Sequence, residues 1–306
     1  MKVRYLILLI QIFSCTIIMT MPTINYWHNI AWCPEPREKC GSVEPSSTDN
    51  LVLLDLEGHA DKIKSFKSSG KYVICYISAG SKESWRPDAS DFPKSVLYGD
   101  LKGWEGETWL DITNWTLLKP IMTARLEKAQ KAGCNAMEYD NVDFYDNEYK
   151  NLYNKENLKK SEIEYLKWLS KTAKDLGMDS FLKNALAIIP DLVDTYDGAI
   201  NESCHKYKEC GSYAPFTNKG KPVLATEYEG DFNTICNNAS SLKLKQLVYD
   251  SVNLGLWKKC QTSESSISSG ESILTSESTE FLEEGNSVFN KLSFLVILIN
   301  MILLLL

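Results

Sequence analysis

Two carboxylic acids stand at the ends of short apolar runs, each beside an asparagine. Asp140 closes A-M-E-Y-D and is followed by Asn141; Glu202 closes A-I-N-E and is preceded by Asn201. Hydrolysing a glycosidic bond takes such a pair: one acid protonates the leaving oxygen, the other acts as nucleophile or base. The competing readings are local ones. Asp140 also suits a helix cap or a loop salt bridge, and Glu202 also suits a partner for Lys183 inside a barrel. Glu138 shares the side of its strand with Asp140, by the two-residue period, but sits a layer deeper. Asp143 reaches the same region from the following loop. Lys183 and Asn184, at the end of F-L-K-N, supply donors for hydroxyls and a charge that holds a neighbouring acid ionised.

A second concentration of chemistry runs from Tyr76 to Asp88, Y-I-S-A-G-S-K-E-S-W-R-P-D, directly after an apolar run from Tyr72 to Ile77. Trp85, Arg86 and Asp88 combine an aromatic face, a fixed positive charge and a carboxylate, which suits a sugar subsite. Trp109 and Tyr228 are further stacking candidates, although a tryptophan at a strand end also fits a core role. Glu227 precedes Tyr228 in V-L-A-T-E-Y, and Asp55 and Asp111 end two other runs. Polar chemistry at one end of successive apolar runs is the pattern of a (β/α)-barrel enzyme, whose site lies at the carboxyl ends of the strands.

The elements that must position these residues follow from periodicity. Eight strands are expected, near 24–28, 51–56, 72–78, 107–111, 134–140, 179–184, 198–202 and 222–228. Several are continuous apolar runs, as parallel strands buried on both faces are. Helical spacing covers Ala60 to Ser69, Leu117 to Ala132 and Glu162 to Leu176, and glycines follow these segments at Gly70, Gly133 and Gly177. Strand–helix alternation implies a parallel sheet, and eight units favour a single closed (β/α)8 TIM barrel with loop insertions. The longest insertion is residues 85–106. No G-x-G-x-x-G or P-loop supports nucleotide binding.

The chain has 306 residues and a formal net charge of −7, which disfavours nucleic acid as a partner and accommodates a cationic substrate. Lys2 and Arg4 precede an apolar run, so residues 1–21 read as a secretory signal peptide, with an uncleaved signal anchor as the alternative. Residues 22–260 form the barrel. Residues 261–287 are a Ser/Thr/Glu-rich stalk, disordered by composition. Residues 288–306 are an apolar tail that reads as a lipid-anchor (GPI) signal, or else a short tail anchor. Of nine cysteines, Cys15 falls in the leader; in a secreted chain the remaining even number favours disulfides. Local pairs are expected for Cys33 with Cys40, Cys204 with Cys210 and Cys236 with Cys260. Cys75 and Cys134 are either buried thiols or a bridge. Without paired C-x-x-C spacing, no metal site is expected, and no cofactor. The glycosylation sequons are Asn114, Asn201 and Asn238; Asn238 is the expected glycan site, since Asn201 adjoins Glu202.

Across nearly the whole mature chain these motifs resemble glycoside hydrolase family 114, the endo-α-1,4-polygalactosaminidases. The resemblance is carried by V-I-C-Y-I-S-A-G-S-K-E-S-W-R-P-D (Val73 to Asp88), D-F-P (Asp91 to Pro93) and G-W-E-G-E-T-W-L-D (Gly103 to Asp111). It continues through Arg125-Leu126, E-Y-D-N-V-D (Glu138 to Asp143), Phe181 to Asn184, A-I-N-E-S-C (Ala199 to Cys204), Glu209-Cys210 and A-T-E-Y (Ala225 to Tyr228). It implies a (β/α)8 barrel that cleaves galactosamine polymers internally, with Asp140 as nucleophile, Glu202 as acid/base and retention of configuration. Departures are Tyr139 where the family has proline before the aspartate, beside the active site; Trp27-His28-Asn29 for W-Q-L; and Thr172-Ala173-Lys174 where a histidine is common. The competing functions are a carbohydrate-binding barrel without catalysis and a glycosidase of different α-galactoside specificity.

Overall fold

The computed structural model describes residues 21–25, 27–29, 45–146, 155–249 and 257–260. The expected signal peptide (apart from Met21), the Cys33–Cys40 pair, the stalk and the apolar tail lie outside the described residues. In chain order come β1 (Trp27–Asn29), β2 (Leu51–Asp55), helix α1 (Ala60–Ser68) and β3 (Tyr72–Ser78). Three short strands follow, β4 (Ser81–Glu83), β5 (Leu97–Asp100) and β6 (Glu107–Leu110). Then come α2 (Lys119–Ala132), β7 (Ala136–Asp140), α3 (Lys155–Asp175), β8 (Asp179–Lys183), α4 (Ile189–Leu192) and β9 (Gly198–Glu202). The described chain ends with α5 (Ala214–Asn218), β10 (Val223–Glu227), α6 (Phe232–Ser241), β11 (Lys245–Tyr249) and β12 (Trp257–Lys259).

Eight of these strands, β1, β2, β3, β7, β8, β9, β10 and β11, pair in parallel in that order. Alternation along each strand sorts side chains into two layers. Leu51, Leu53, Ile74, Tyr76, Phe181, Ile200, Leu224 and Leu247 fill the barrel interior. Val52, Leu54, Val73, Cys75, Met137, Leu182, Ala199 and Val223 face the helices and form the larger core. The two ends of the curled sheet meet through side chains: the Trp27 indole donates to the Lys245 carbonyl at 2.9 Å, and the Tyr249 hydroxyl donates to the Asn29 carbonyl at 3.4 Å. β12 adds antiparallel to β11, and its Lys259 forms an ion pair with the buried Asp49 ahead of β2. Among the described residues no helix is long and apolar enough to cross a membrane.

The helix signals act as read. α2 carries Pro120 in its first turn and stops at Gly133, whose φ of 103° is left-handed. The strand expectation needs one correction. Residues 107–110 do not enter the barrel wall; they form the centre of a three-stranded antiparallel sheet with β4 and β5. The eighth parallel strand is instead β11, a five-residue run outside the eight expected strands.

Three disulfides stand among the described residues: Cys75–Cys134, Cys204–Cys210 and Cys236–Cys260. The first resolves the open choice at Cys75 and Cys134 in favour of a bridge, tying β3 to the entry of β7.

Candidate active site

At the carboxyl ends of β7, β8 and β9 the chain turns sharply. Asn141, Asn184, Ala185 and Ser203 all have left-handed backbones, with φ of 59°, 46°, 52° and 65°. Asparagine tolerates this region; for alanine and serine it is uncommon, and such strain persists only where surrounding bonds hold it. The Asn141 amide donates to Ser78 Oγ and Ser81 Oγ, both at 3.1 Å, and more distantly to Glu107. Asn184 Oδ1 accepts from the Glu202 backbone N–H at 3.1 Å. Ser203 N–H donates to the Thr226 carbonyl at 2.8 Å. Gly80 packs against the same turn so closely that a Cβ there would lie 1.5 Å from the Asn141 carbonyl oxygen.

These turns surround a cavity of about 400 Å³, within the size range of small-ligand sites. The inward register places Lys183 at its floor, 5 % exposed and in contact with three carboxylates: Glu138 at 3.0 Å, Asp140 at 3.2 Å and Glu202 at 3.6 Å. The two lysine-facing oxygens of Asp140 and Glu202 are therefore no more than about 6.8 Å apart. The Tyr76 hydroxyl donates to Asp140 at 3.3 Å, and the Tyr228 hydroxyl donates to Glu202 at 2.6 Å. Although burial alone would lower it, the ammonium of Lys183 is held well above its ordinary pKa by Asp140, Glu138 and Glu202. Burial pushes the Glu138 carboxyl up to about 7 against the pull of Lys183, and pushes Asp143 up to about 6, with Asp140 adding to the effect.

Of the residues singled out in the sequence, Asp140, Glu202, Tyr76, Asn141, Asp143, Lys183, Asn184 and Tyr228 line this cavity, and so does Glu138. Five others do not. The Arg86 side chain is buried in ion pairs with Glu83 at 2.6 Å and Asp55 at 2.8 Å. Asp88 receives Arg125, whose Nη1 also donates to the Ser78 carbonyl, so this pair fastens the insertion to the end of β3. Trp109 is buried edge-on against Phe144. Trp85 is 57 % exposed and lies along the turn at Gly106. Glu227 falls on the helix-facing parity of β10, beyond Val223 and Ala225, and accepts from the His205 backbone N–H at 2.8 Å. Tyr139 is likewise outward: it is fully buried, packs edge-on with Tyr196 and bonds Ser180. The family's proline position is therefore a helix-layer position here and does not line the cavity.

The cavity also recruits Asn29, Trp104, Glu107, Ser203, Lys206 and Tyr207, which were not selected from the sequence. Trp104 and Glu107 lie inside the quoted run G-W-E-G-E-T-W-L-D, the one signal that pointed to them. Glu107 is 5 % exposed, accepts from Ser81 at 2.6 Å, and is pushed by burial up to about 7. One His/Cys/Glu group among the described residues is close enough to hold an ion, Cys204, His205, Cys210 and Glu227, but the disulfide between its two cysteines removes both thiolates.

A parallel eight-stranded barrel with acids, a buried lysine and two tyrosine hydroxyls around a polar cavity at its carboxyl mouth has the architecture of a barrel hydrolase. The chain belongs to glycoside-hydrolase family GH114, whose sequence model matches residues 30–266. It is similar to Ega3 of Aspergillus fumigatus, whose crystal structure is a complex with galactosamine. Identity is 30 % and the TM-score 0.68, covering 79 % of this chain and 98 % of that one. The glycoside hydrolase domain of PelA from Pseudomonas aeruginosa shares the fold at 13 % identity and a TM-score of 0.58, over 76 % of this chain and 97 % of that one. No curated protein matches the chain. The protein is a glycoside hydrolase on a (β/α)8 barrel.

Proposed function

We propose that this enzyme cleaves internal α-1,4 bonds of galactosamine polymers with retention, using Asp140 as nucleophile and Glu202 as acid/base. The observation that carries this reading is the pairing of both carboxylates, from the strands on either side of β8, on the one buried lysine that β8 carries. Asp140 is the better-held of the two. Its side chain is 20 % exposed and close to Lys183, against 36 % for Glu202. A nucleophile must be held in place, and Lys183 and the Tyr76 hydroxyl hold Asp140; an acid/base must exchange protons with leaving oxygen and water, and the more open side chain suits it. In the first step Asp140 forms a bond to the anomeric carbon while Glu202 protonates the departing glycosidic oxygen. In the second, Glu202 takes a proton from water, which displaces Asp140. Retaining pairs stand about 5–5.5 Å apart and inverting pairs about 6.5–9.5 Å. The ceiling of about 6.8 Å between the lysine-facing oxygens accommodates the retaining spacing.

The galactosamine in the Ega3 complex and the acid-rich lining support an amino sugar as substrate. Three disulfides support folding in an oxidising, secretory compartment.

The test is incubation of the protein with α-1,4-galactosamine polymers of graded acetylation, following reducing-end release beside Asp140→Asn and Glu202→Gln. Oligosaccharide release by the parent and loss of at least about a thousandfold in each variant are expected. Monosaccharide as the first product would replace the endo reading with an exo one. Full activity in either variant would remove that acid from its role.

A further inference from the structure

A second cavity, about 480 Å³, opens beside the first. It is formed by His205, Lys206, Glu229, Gly230 and Thr234, with Asp231, Ile235 and the sequon residue Asn238 completing the wall, and it is open to a ligand where Asn238 carries no glycan. Its loops follow β9 and β10, so it shares the carboxyl mouth of the barrel with Asp140 and Glu202. Lys206 lines both cavities, so they meet at that residue. Its neighbour Tyr207 lines the first cavity and is 63 % exposed, with the Lys206 ammonium 5.8 Å from its ring centroid. That exposed ring stands beside the residue the two cavities share.

We propose that this second cavity is a sugar subsite for the leaving-group side of the chain, where Glu229 receives the ammonium of a hexosamine unit. The proposal rests on the reading of the enzyme as a galactosamine-polymer hydrolase. Three features lead to it. An internally cleaved polymer must continue past the cleavage cavity, and the second cavity supplies the continuation. The direction follows from Glu202, which protonates the departing oxygen: the loop leading away from it, through Ser203 to Lys206, reaches the second cavity directly. The chemistry follows from the ion pair across the junction. Lys206 Nζ sits 2.7 Å from Glu229 Oε1, and both side chains are well exposed, at 47 % and 60 %. Exposed pairs of this kind contribute little net stability, so a substrate ammonium can take the place of Lys206 on Glu229 without a large penalty. Lys206 then acts as a built-in competitor that occupies the carboxylate until a cationic sugar arrives. An N-acetylated unit carries no such charge and gains nothing from the exchange.

The experiment compares fully deacetylated α-1,4-galactosamine tetramer and octamer. One assay is kcat/KM of cleavage; the other is equilibrium binding to the Glu202→Gln chain. The parent is expected to favour the octamer in both. Glu229→Gln should lower that octamer-to-tetramer ratio about fivefold, and Lys206→Gln should hold or raise it. High salt should erode the ratio in the parent, as screening weakens exposed charge contacts. An unchanged ratio in Glu229→Gln, or no octamer preference in the parent, would overturn the subsite. Octamer-selective binding by Glu202→Gln without cleavage by the parent would leave the subsite standing and overturn the hydrolytic reading instead.

Discussion

Lys183 carries one positive charge against Glu138, Asp140 and Glu202, so the floor of the cavity is left with excess negative charge whenever all three acids ionise. Glu138 is the member that yields. It is fully buried, one of its oxygens has no hydrogen-bond partner, and its carboxyl is pushed up to about 7. Glu107, at about 7, and Asp143, at about 6, shift the same way. The sign follows from proton counts: between about pH 4.5 and 7 the folded chain holds protons that the unfolded chain has lost. The stability contributed by these groups is complete below the unfolded values and is lost as pH rises through the folded ones. Thermal midpoints at low ionic strength should therefore fall from pH 5.5 to pH 7.5, and Glu138→Gln should flatten part of that slope. An identical slope in the variant would remove Glu138 from the account. On the proposed roles, Tyr228→Phe deletes the hydroxyl that holds Glu202. A hydrogen bond to a charged group is worth about 1.5–3 kcal/mol, so the fold should lose up to about that much stability, and kcat should drop about ten- to a hundredfold as Glu202 loses its fixed orientation.

At the scale of elements, the three-stranded sheet formed by β4, β5 and β6 brings Glu107 to the cavity, and two buried arginines pin its surroundings to the barrel. Arg86 bridges Glu83 and Asp55, and Arg125 clamps Asp88 to the end of β3. Removing one partner of a buried pair strands the other charge and costs about 3–5 kcal/mol. Arg86→Met should therefore lower urea stability by about that amount. If Arg86 contacted sugar instead, KM would rise with stability intact. The sequence made much of this legible and misread a definable part. Strands β2, β3, β7, β8, β9 and β10 were readable because their apolar runs are long and end in polar residues. The run at 107–111 has the same look, but three-residue and four-residue partners on either side take its hydrogen bonds. β11 was missed because Lys245 and Gln246 open it and shorten its apolar signal to three residues. Within the site, parity along a strand separates cavity from core. It puts Glu138 and Asp140 toward the cavity and Glu227, expected in substrate binding, in the helix layer with Val223 and Ala225. Arg86, Asp88 and Trp109 have types that suit sugar binding, and nothing in their spacing reveals that Glu83, Arg125 and Phe144 already satisfy them.

For the whole molecule, the Cys75–Cys134 bridge joins β3 to the residues ahead of β7 across a sequence separation of 59. In the chain-entropy account a loop of that length stabilises the fold by about 4 kcal/mol. Everything between the two cysteines, including β4, β5, β6 and α2, is thereby a covalently closed circuit attached to the barrel wall. Residues 102–106 form a continuous exposed run within it, where a protease would cut. A single cut there would leave no free fragment: the two pieces would stay joined until a reductant opened the bridge. Such a clipped molecule should run as one species on a non-reducing gel and as two on a reducing gel. Because Asp140, Lys183 and Glu202 all lie beyond the circuit on one unbroken segment, it should keep measurable activity in its two-piece form.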